Sequence, residues 1–306
     1  MAAASADHLR GILLTVTAVL VLSPDALLVR LIETDSLTLI FWRGALSAAA
    51  ILITLGCLWG RSTAANLLRI GRPGLLSGGI SALGTILFVY ALRTTSVANT
   101  LVIMAATPLF SALLSRLFLG EQIARRTWIA ILVGLGGIVL LFAGNLGQGT
   151  LAGDFCALTA ASFWASNLVV LRHARQINMT PAVALGGALA ALLSLLLGAR
   201  PFAVSTADFG LLLLLGGLVL PLSFALITLG PRHLPAAEVS LVLLLETFLG
   251  PLWVWWALGE TPNTPTIIAG GLILTTILLH SVATLRTTRG YLKTANPGPF
   301  SHLDAF

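Results

Sequence analysis

The sequence predicts an all-α polytopic membrane protein with ten transmembrane helices, arranged as two five-helix repeats of inverted topology. Three observations predict this fold class: the composition, the recurrence of apolar stretches, and a duplication within the chain. The 306 residues are 57% hydrophobic and 9% charged, with a mean hydropathy of +0.99. Soluble domains carry roughly 25% charged residues, so this chain lacks the charge to cover a water-exposed surface.

Apolar stretches of about 20 residues recur from end to end, and each could cross a hydrocarbon core as a helix. Every backbone polar group in lipid must be bonded within the structure, and strand-like alternation is absent, so helices are the only option. The ten predicted spans cover residues 11–32, 37–59, 73–93, 97–119, 127–144, 151–172, 181–199, 208–230, 236–258 and 265–285.

These spans divide the chain into four parts. We expect a cytoplasmic N-terminus over residues 1–10, a first five-helix repeat over 11–145, a second over 150–286, and a disordered cytoplasmic tail over 287–306. The first apolar segment continues to Ile32, which is too long for the core of a signal peptide, so it is predicted to be a retained helix.

Basic residues are distributed unevenly between the two sides of the predicted bundle. With loops alternating from a cytoplasmic N-terminus, thirteen arginines and lysines fall on the cytoplasmic side and three on the other. This asymmetry follows the positive-inside rule and predicts that both termini are cytoplasmic. The net charge of +6 therefore reports topology, with anionic lipid headgroups rather than nucleic acid as partner. The heavy use of arginine, alanine, leucine and glycine is typical of a GC-rich bacterial genome, so we expect the protein in a bacterial inner membrane.

The chain contains an internal duplication. Residues from 97 and from 236 align without a gap at an offset of 139, so that "LFLGE" falls on "WALGE". Both glutamates of this motif follow helix ends, where we expect capping or hinge roles. Five spans is an odd number, so the second repeat enters from the opposite face, as in many secondary transporters. The alternative is a duplication kept for structural reasons alone. Aligned pairs are Asn99 with Glu238, Thr107 with Glu246, Glu121 with Glu260 and, at an offset near 142, Asp25 with Asn167.

The repeated motifs resemble a known family. The run "ATPLFSALLSRLFLGE" followed by "W…G…GGIVLL", and its repeat "LLLETF…WALGE", is similar to the ten-helix branch of the drug/metabolite transporter superfamily, which has two EamA-type domains. The resemblance covers residues 10–286. The segments "SPDALLVRL" and "FWRGALSAA" resemble more narrowly the bacterial exporters of aromatic amino acids and paraquat. The resemblance implies a secondary-active exporter of small metabolites that works by alternating access around a central cavity. Its main substrates would be amino acids, with cationic drugs as a further class.

Two charged residues are placed within the first two spans. Asp25 lies nine residues before Thr34, near the apex of the first loop, and Arg43 lies nine residues after it. At 1.5 Å per residue the two side chains reach similar depth, so we predict an Asp25–Arg43 ion pair between neighbouring antiparallel helices. An intramembrane charge is costly and marks a candidate functional site. The pair is either a static link in the first hairpin or a gate and dock for a zwitterion.

Glu246 is the second charged candidate, close to the middle of the ninth span. Asn99 and Thr107 lie on one side of the fourth helix, as Glu238 and Glu246 lie on one side of the ninth. A side that carries such residues should face a water-filled cavity. Glu246 could then exchange a proton or bind an amine, or it could only hold helices together through a hydrogen bond. Glu238 is expected near the inner membrane surface.

Aromatic residues complete the candidate binding site. Trp42 precedes Arg43, Tyr90 lies in a third span rich in small residues, and Trp164 lies beside Asn167. These side chains could line a pocket for aromatic or cationic cargo, although aromatic residues in helices also serve simply to fill space between helices.

Other classes of function are disfavoured by the residues present. We find no metal-ligand spacing, no nucleophile elbow and no P-loop, so no cofactor, ATP use or enzyme activity is expected. A carrier of phosphorylated metabolites or nucleotide sugars would need several cavity cations, and Arg43 is the one plausible candidate. A passive channel and an intramembrane enzyme using Asp25 with Glu246 stay open as alternatives. The predicted partners are a small-molecule substrate and membrane lipids, with the monomer as the functional unit.

Overall fold

The computed structural model describes residues 2–95, 97–125, 127–129, 131–133, 135–136 and 151–258, together with residues 268, 271 and 275. Its regular structure is helical in all of these segments, where no strand occurs. The α-helices of the first half are α1 (Ala2–Leu22), α2 (Asp25–Leu31), α3 (Ser36–Trp59), α4 (Thr63–Leu68), α5 (Gly71–Thr94), α6 (Val97–Met104) and α7 (Thr107–Leu119). Those of the second half are α8 (Leu151–His173), α9 (Thr180–Leu196), α10 (Thr206–Leu214), α11 (Leu220–His233), α12 (Ala236–Leu243) and α13 (Leu245–Leu258).

Six helical segments in the described ranges are long and apolar enough to cross a membrane. Two further apolar helices, α7 and α9, are shorter. The chain is therefore a multi-pass membrane protein, as the composition predicts. Most residues of the predicted spans 127–144 and 265–285 lie outside the described residues. The six segments are Asp7–Leu31, Ser36–Ser62, Gly71–Thr94, Leu151–His173, Thr206–His233 and Ala236–Ala257.

Four of the predicted continuous spans contain an interruption. The first breaks between α1 and α2, the fourth between α6 and α7, and the ninth at Leu244 between α12 and α13. The eighth stays helical, but it passes through a π-helical turn at Leu215–Val219 between α10 and α11. Pro24 marks the first of these interruptions in the sequence, whereas the sequence predicts continuous helices for the other three spans.

Two of the breaks contain the same side-chain hydrogen bond next to a proline. A proline has no N–H, so the carbonyl four residues before it loses its helical donor. The Ser23 hydroxyl, just before Pro24, donates to the Leu20 carbonyl at 2.8 Å. The Thr107 hydroxyl, just before Pro108, likewise donates to the Met104 carbonyl. In each case the neighbouring hydroxyl replaces the missing backbone donor, so the break leaves this carbonyl satisfied inside the bundle.

Equivalent helices of the two halves cross each other in antiparallel directions. Helix α3 packs along α9, and they approach so closely that a Cβ on Gly187 would lie 2.7 Å from the Gly44 carbonyl oxygen. Farther along the same pair, the Arg200 backbone N–H donates to the Thr38 hydroxyl at 2.7 Å. Small residues permit such close contact between helices in a membrane.

The broken helices α6–α7 and α12–α13 form a second antiparallel crossing. The Ser111 and Ser240 hydroxyl oxygens are 2.6 Å apart, and a Cβ on Gly250 would lie 2.8 Å from the Leu101 side chain. At the repeat offset of 139, Leu101 corresponds to Ser240 and Ser111 corresponds to Gly250. The two contacts are therefore exchanged when the halves are exchanged, which is the property of a pseudo-two-fold axis.

Arginine side chains fasten corresponding helix ends at the two ends of the bundle. Arg93, at the end of α5, donates to the Ile32 carbonyl at 2.8 Å, and Arg232, at the end of α11, donates to the Arg175 carbonyl at 3.1 Å. Arg93 and Arg232 are equivalent at the offset of 139. The end that contains Arg232 is further closed by Arg172, whose Nε lies 2.8 Å from a Glu121 carboxylate oxygen.

The core lies between these helices, and the outer surface is apolar. Buried side chains such as Leu39, Leu168 and Leu220 contribute to one cluster that joins both halves. Large apolar side chains on the outside are strongly exposed, including Leu58 at 73% and Trp256 at 79%. An outer surface of this kind is suited to lipid rather than to water.

Candidate functional site

The ion pair expected between Asp25 and Arg43 is present at the centre of the site. Asp25 begins α2 immediately after the Pro24 break, and Arg43 projects from α3. Both Nη atoms of Arg43 contact the two carboxylate oxygens of Asp25, with the Nη2–Oδ2 distance at 2.7 Å. Each side chain is 3% exposed. The bidentate geometry satisfies both charges in a buried setting, where either charge alone would be costly.

A central cavity of about 90 Å³ adjoins this ion pair. Its lining brings together Asp25 and Arg43 with Glu246, which comes from the first turn of α13. No hydrogen bond or ion pair of the Glu246 carboxylate occurs in the part of the chain that the structure describes. The cavity therefore holds one paired carboxylate, one paired guanidinium and one carboxylate that has no partner among the described residues.

Aromatic side chains form much of the apolar wall. Trp164 and Phe224 stack with ring centroids 5.3 Å apart and an interplanar angle of 24°. The Arg43 guanidinium carbon lies 5.8 Å from the centroid of the Phe88 ring, within the range of a cation–π interaction. This wall offers flat apolar surfaces next to charged groups, which suits an amphipathic small molecule.

Both broken helices begin a new segment at the cavity. Thr107, the first residue of α7, and Glu246 in the first turn of α13 both line it. Interrupted helices at corresponding positions of two repeats are the best structural indication of a transport site. The alignment of Thr107 with Glu246 in the sequence thus corresponds to two equivalent positions at one cavity.

Asn167 and Trp164 are also placed at this site. Trp164 lines the central cavity and a second, adjoining cavity, whereas Asn167 lines only the second. The Ser77 hydroxyl donates to the Asn167 amide oxygen at 2.6 Å. Asn167 is the repeat counterpart of Asp25. In the first half Asp25 pairs with Arg43, whereas in the second half Asn167 accepts a hydrogen bond from Ser77 of α5.

Two predicted site residues lie away from both cavities. Trp42 donates from its indole nitrogen to the Pro201 carbonyl at 3.0 Å and packs edge-on against Phe209, so it anchors the segment after α9. Tyr90 is 46% exposed on the outer side of α5. Phe88 takes the cavity position instead, because two residues along a helix rotate a side chain by about 200°. The side chain of Asn99 lies outside the described part of the chain.

The sequence analysis missed three contributors: Phe88, Phe224 and Ser77. Phe224 follows Pro221 in an apolar run that has no polar pattern to orient it, so no signal marked its inward face. Ser77 could have been found from its place among the small residues of α5, opposite the span that carries Asn167. Glu121 pairs with Arg172, so it ties α7 to α8 rather than capping its own helix; its counterpart Glu260 lies outside the described residues.

A multi-pass helical protein that encloses charged groups between two antiparallel halves has the architecture of a membrane transporter. The match to a family of known proteins agrees with this class. The family model described as "EamA-like transporter family" matches residues 9–143 and 151–282, so the chain belongs to the EamA-like transporter family. The resemblance found in the sequence motifs is confirmed, and the family match falls in two repeats.

Relatives and a solved structure agree with this assignment. Two proteins described as "Pseudopaline exporter CntI", from Pseudomonas aeruginosa strains PAO1 and UCBPP-PA14, are each 28% identical over 257 residues. The alignments cover 82% of this chain and 87% of each relative. A crystal structure with 20% sequence identity superposes with a TM-score of 0.75, covering 89% of this chain and 97% of the other. That likeness establishes a shared fold.

Proposed function

We propose that the protein is a secondary-active exporter of small metabolites, with amino acids as the first class of cargo. The family and the exporter relatives support export of a small molecule. The cavity supports the choice of amino acids, because it combines a guanidinium, aromatic walls and a carboxylate that lacks a partner in the described ranges. A zwitterion with an apolar side chain has complementary groups for all three.

The proposal includes ten transmembrane helices in two inverted five-helix repeats, in a bacterial inner membrane with both termini cytoplasmic. The antiparallel crossings of α3 with α9 and of α7 with α12 support the inversion. The distribution of basic residues supports the orientation. Alternating access then follows from the architecture, since the halves can exchange conformations around a site between them.

Glu246 is the observation that carries the proposal. A carboxyl group inside a membrane protein is costly unless it has a partner or a task. Asp25 has Arg43 as its partner, whereas Glu246 faces the cavity without one in the described chain. The ammonium group of the cargo would provide a positive charge opposite the Glu246 carboxylate. A proton would neutralise this carboxylate when the cargo is absent. Competition between the two provides a route to proton-coupled export.

The test is transport by the purified protein in liposomes. A panel of labelled amino acids, with pseudopaline as a further candidate, is offered with and without a proton gradient. We expect gradient-driven movement of at least one amino acid and a drop of about tenfold in Glu246→Gln, since an ammonium would lose its counter-charge. Movement down a concentration gradient alone, unaffected by a proton gradient, would instead favour a channel or uniporter.

Glu238→Gln is the matched control for this test. Glu238 lies in α12, the preceding helix of the same span. Its Oε2 atom is 3.6 Å from His8 Nε2, at the end of the bundle rather than at the cavity. We expect Glu238→Gln to transport at close to the wild-type rate. If no amino acid moves, and Glu246→Gln leaves every measured flux unchanged, the proposed cargo and site are wrong.

A further inference from the structure

The second cavity next to the transport site has a different chemical character. It has a volume of about 40 Å³ and shares Arg43, Trp164 and Phe224 with the central cavity. Its remaining lining includes the hydroxyl-bearing residues Ser47 and Thr85. The two cavities thus adjoin each other at the stacked Trp164–Phe224 pair, and Arg43 lines both compartments.

Two residues that line this second compartment carry hydrogen-bond donors without acceptors in the described chain. Asp25 occupies the Nη1 and Nη2 atoms of Arg43, while the buried Nε–H has no partner in the described chain. The Asn167 amide oxygen accepts from Ser77, and no protein acceptor for its NH₂ group occurs among the described residues. A buried donor without an acceptor, such as Arg43 Nε, destabilises a folded protein, so this arrangement suits a ligand rich in acceptor oxygens.

The charge of the compartment indicates which acceptor fits. The single cation in its described lining is Arg43, and Asp25 already balances much of that charge. A phosphate with two negative charges would lack counter-charges here, whereas phosphate sites gather several basic groups. A carboxylate has one charge and two acceptor oxygens, which match one guanidinium N–H and one amide NH₂ group.

We propose that the second cavity is the carboxylate-binding compartment of the transport site. The cargo carboxylate accepts hydrogen bonds from Arg43 Nε and from the Asn167 amide, with its ammonium group directed to Glu246 in the central cavity. This inference rests on the proposed function, because it assigns the two ends of a zwitterionic cargo to the two compartments. The substrate class that follows is an α-amino acid or a related molecule with one free carboxylate.

The experiment measures binding of three probes to the purified full-length protein. Phenylalanine carries both charged groups, phenethylamine lacks the carboxylate, and 3-phenylpropionate lacks the amine. We expect the wild-type protein to bind phenylalanine about tenfold more tightly than phenethylamine. In Asn167→Asp a carboxylate replaces the donor, so we expect phenylalanine and 3-phenylpropionate to weaken about tenfold and phenethylamine to bind as before.

Retained phenethylamine binding shows that the variant is folded. Asn178→Asp, at an exposed position on the loop before α9, is the matched control, and all three probes should bind to it as to the wild-type protein. Ser47→Ala gives a second, milder variant, for which a smaller and carboxylate-selective loss is expected. An equal loss of all three probes in Asn167→Asp, or no loss of the carboxylate probes, would overturn the compartment proposal.

Failure of the two proposals can be told apart. If 3-phenylpropionate binds and the Asn167→Asp variant loses it, while no amino acid is transported, the compartment stands and the proposed export function fails. If amino acids are transported but phenylalanine and phenethylamine bind equally well, the export function stands and the compartment is wrong. Binding of none of the three probes to the wild-type protein also overturns the compartment.

Discussion

Asp25 and Arg43 show how a buried charge can be kept in a membrane protein. Each is almost fully enclosed, and each satisfies the other through two contacts. The sequence predicted this pair because a short loop fixes the relative depth of two adjacent helices. It could not distinguish Phe88 from Tyr90 as the inward aromatic residue, because the rotation of α5 depends on its neighbours and α5 carries small residues on several sides.

Asp25→Asn should destabilise the protein strongly, because it leaves the Arg43 charge buried and unpaired. Loss of one partner of a buried pair costs about 3–5 kcal/mol. The double variant Asp25→Asn/Arg43→Gln should regain most of this loss. Thermal unfolding in detergent measures both effects. Glu121→Gln is the control: its pair with Arg172 is partly exposed, and we expect a cost below about 1 kcal/mol. Equal unfolding temperatures for Asp25→Asn and wild type would contradict the prediction.

Exchange of the two charges separates a structural role from a gating role. In Asp25→Arg/Arg43→Asp the ion pair is preserved with its polarity reversed. Wild-type transport by this variant would assign the pair to holding α2 against α3. A folded variant without transport would assign it to the transport cycle itself, as a gate or a dock.

At the scale of helices, sequence patterns located the segments well but not their interruptions. The boundaries of α3, α5 and α8 agree with the predicted spans to within two residues. The break at Thr107–Pro108 carried a visible signal in its proline, whereas the equivalent break at Leu244 has Thr247 in place of proline. That second break, like the π-helical turn at Leu215–Val219, is set by contacts between helices that no local pattern records.

Gly44 and Gly56 provide a test of the crossing between α3 and α9. A Cβ on Gly44 would collide with the backbone carbonyl of Gly187, whereas a Cβ on Gly56 would meet nothing within 4 Å. Gly44→Ala should therefore destabilise the protein by about 1–3 kcal/mol. Gly56→Ala should stabilise it by about 0.5–1 kcal/mol through helix propensity. Thermal unfolding in detergent compares them, and equal effects would mean that the crossing tolerates a methyl group.

At the scale of the whole molecule, the duplication predicted two repeats, and the family match falls in two repeats. An odd number of spans per repeat predicted inversion, and the antiparallel crossings of equivalent helices agree with it. The sequence could also align Thr107 with Glu246. It predicted that both would face a water-filled cavity, but it could not give the crossing angle of the two broken helices that brings them together.

Cysteine labelling tests the orientation of the bundle. In a background of Cys57→Ser and Cys156→Ser, which removes the two native thiols, Asn178→Cys and Ala203→Cys place single thiols on exposed loops before and after α9. A membrane-impermeant maleimide should label Ala203→Cys in intact cells and Asn178→Cys only after lysis. The reverse pattern would invert the proposed topology, and labelling of both in intact cells would contradict the placement of α9 across the membrane.

The paired contacts at the crossing of the broken helices are equivalent in position but differ in chemistry. Ser111 and Ser240 share a hydrogen bond, while their counterparts Gly250 and Leu101 touch only through a methyl group. If the halves exchange conformations, the serine pair takes the surroundings of the glycine–leucine pair and the reverse. The two conformations then differ in energy. A difference of one hydrogen bond, about 1 kcal/mol, corresponds to roughly a fivefold imbalance in population. Under the proposed exchange of conformations, the empty protein would therefore rest preferentially toward one side of the membrane.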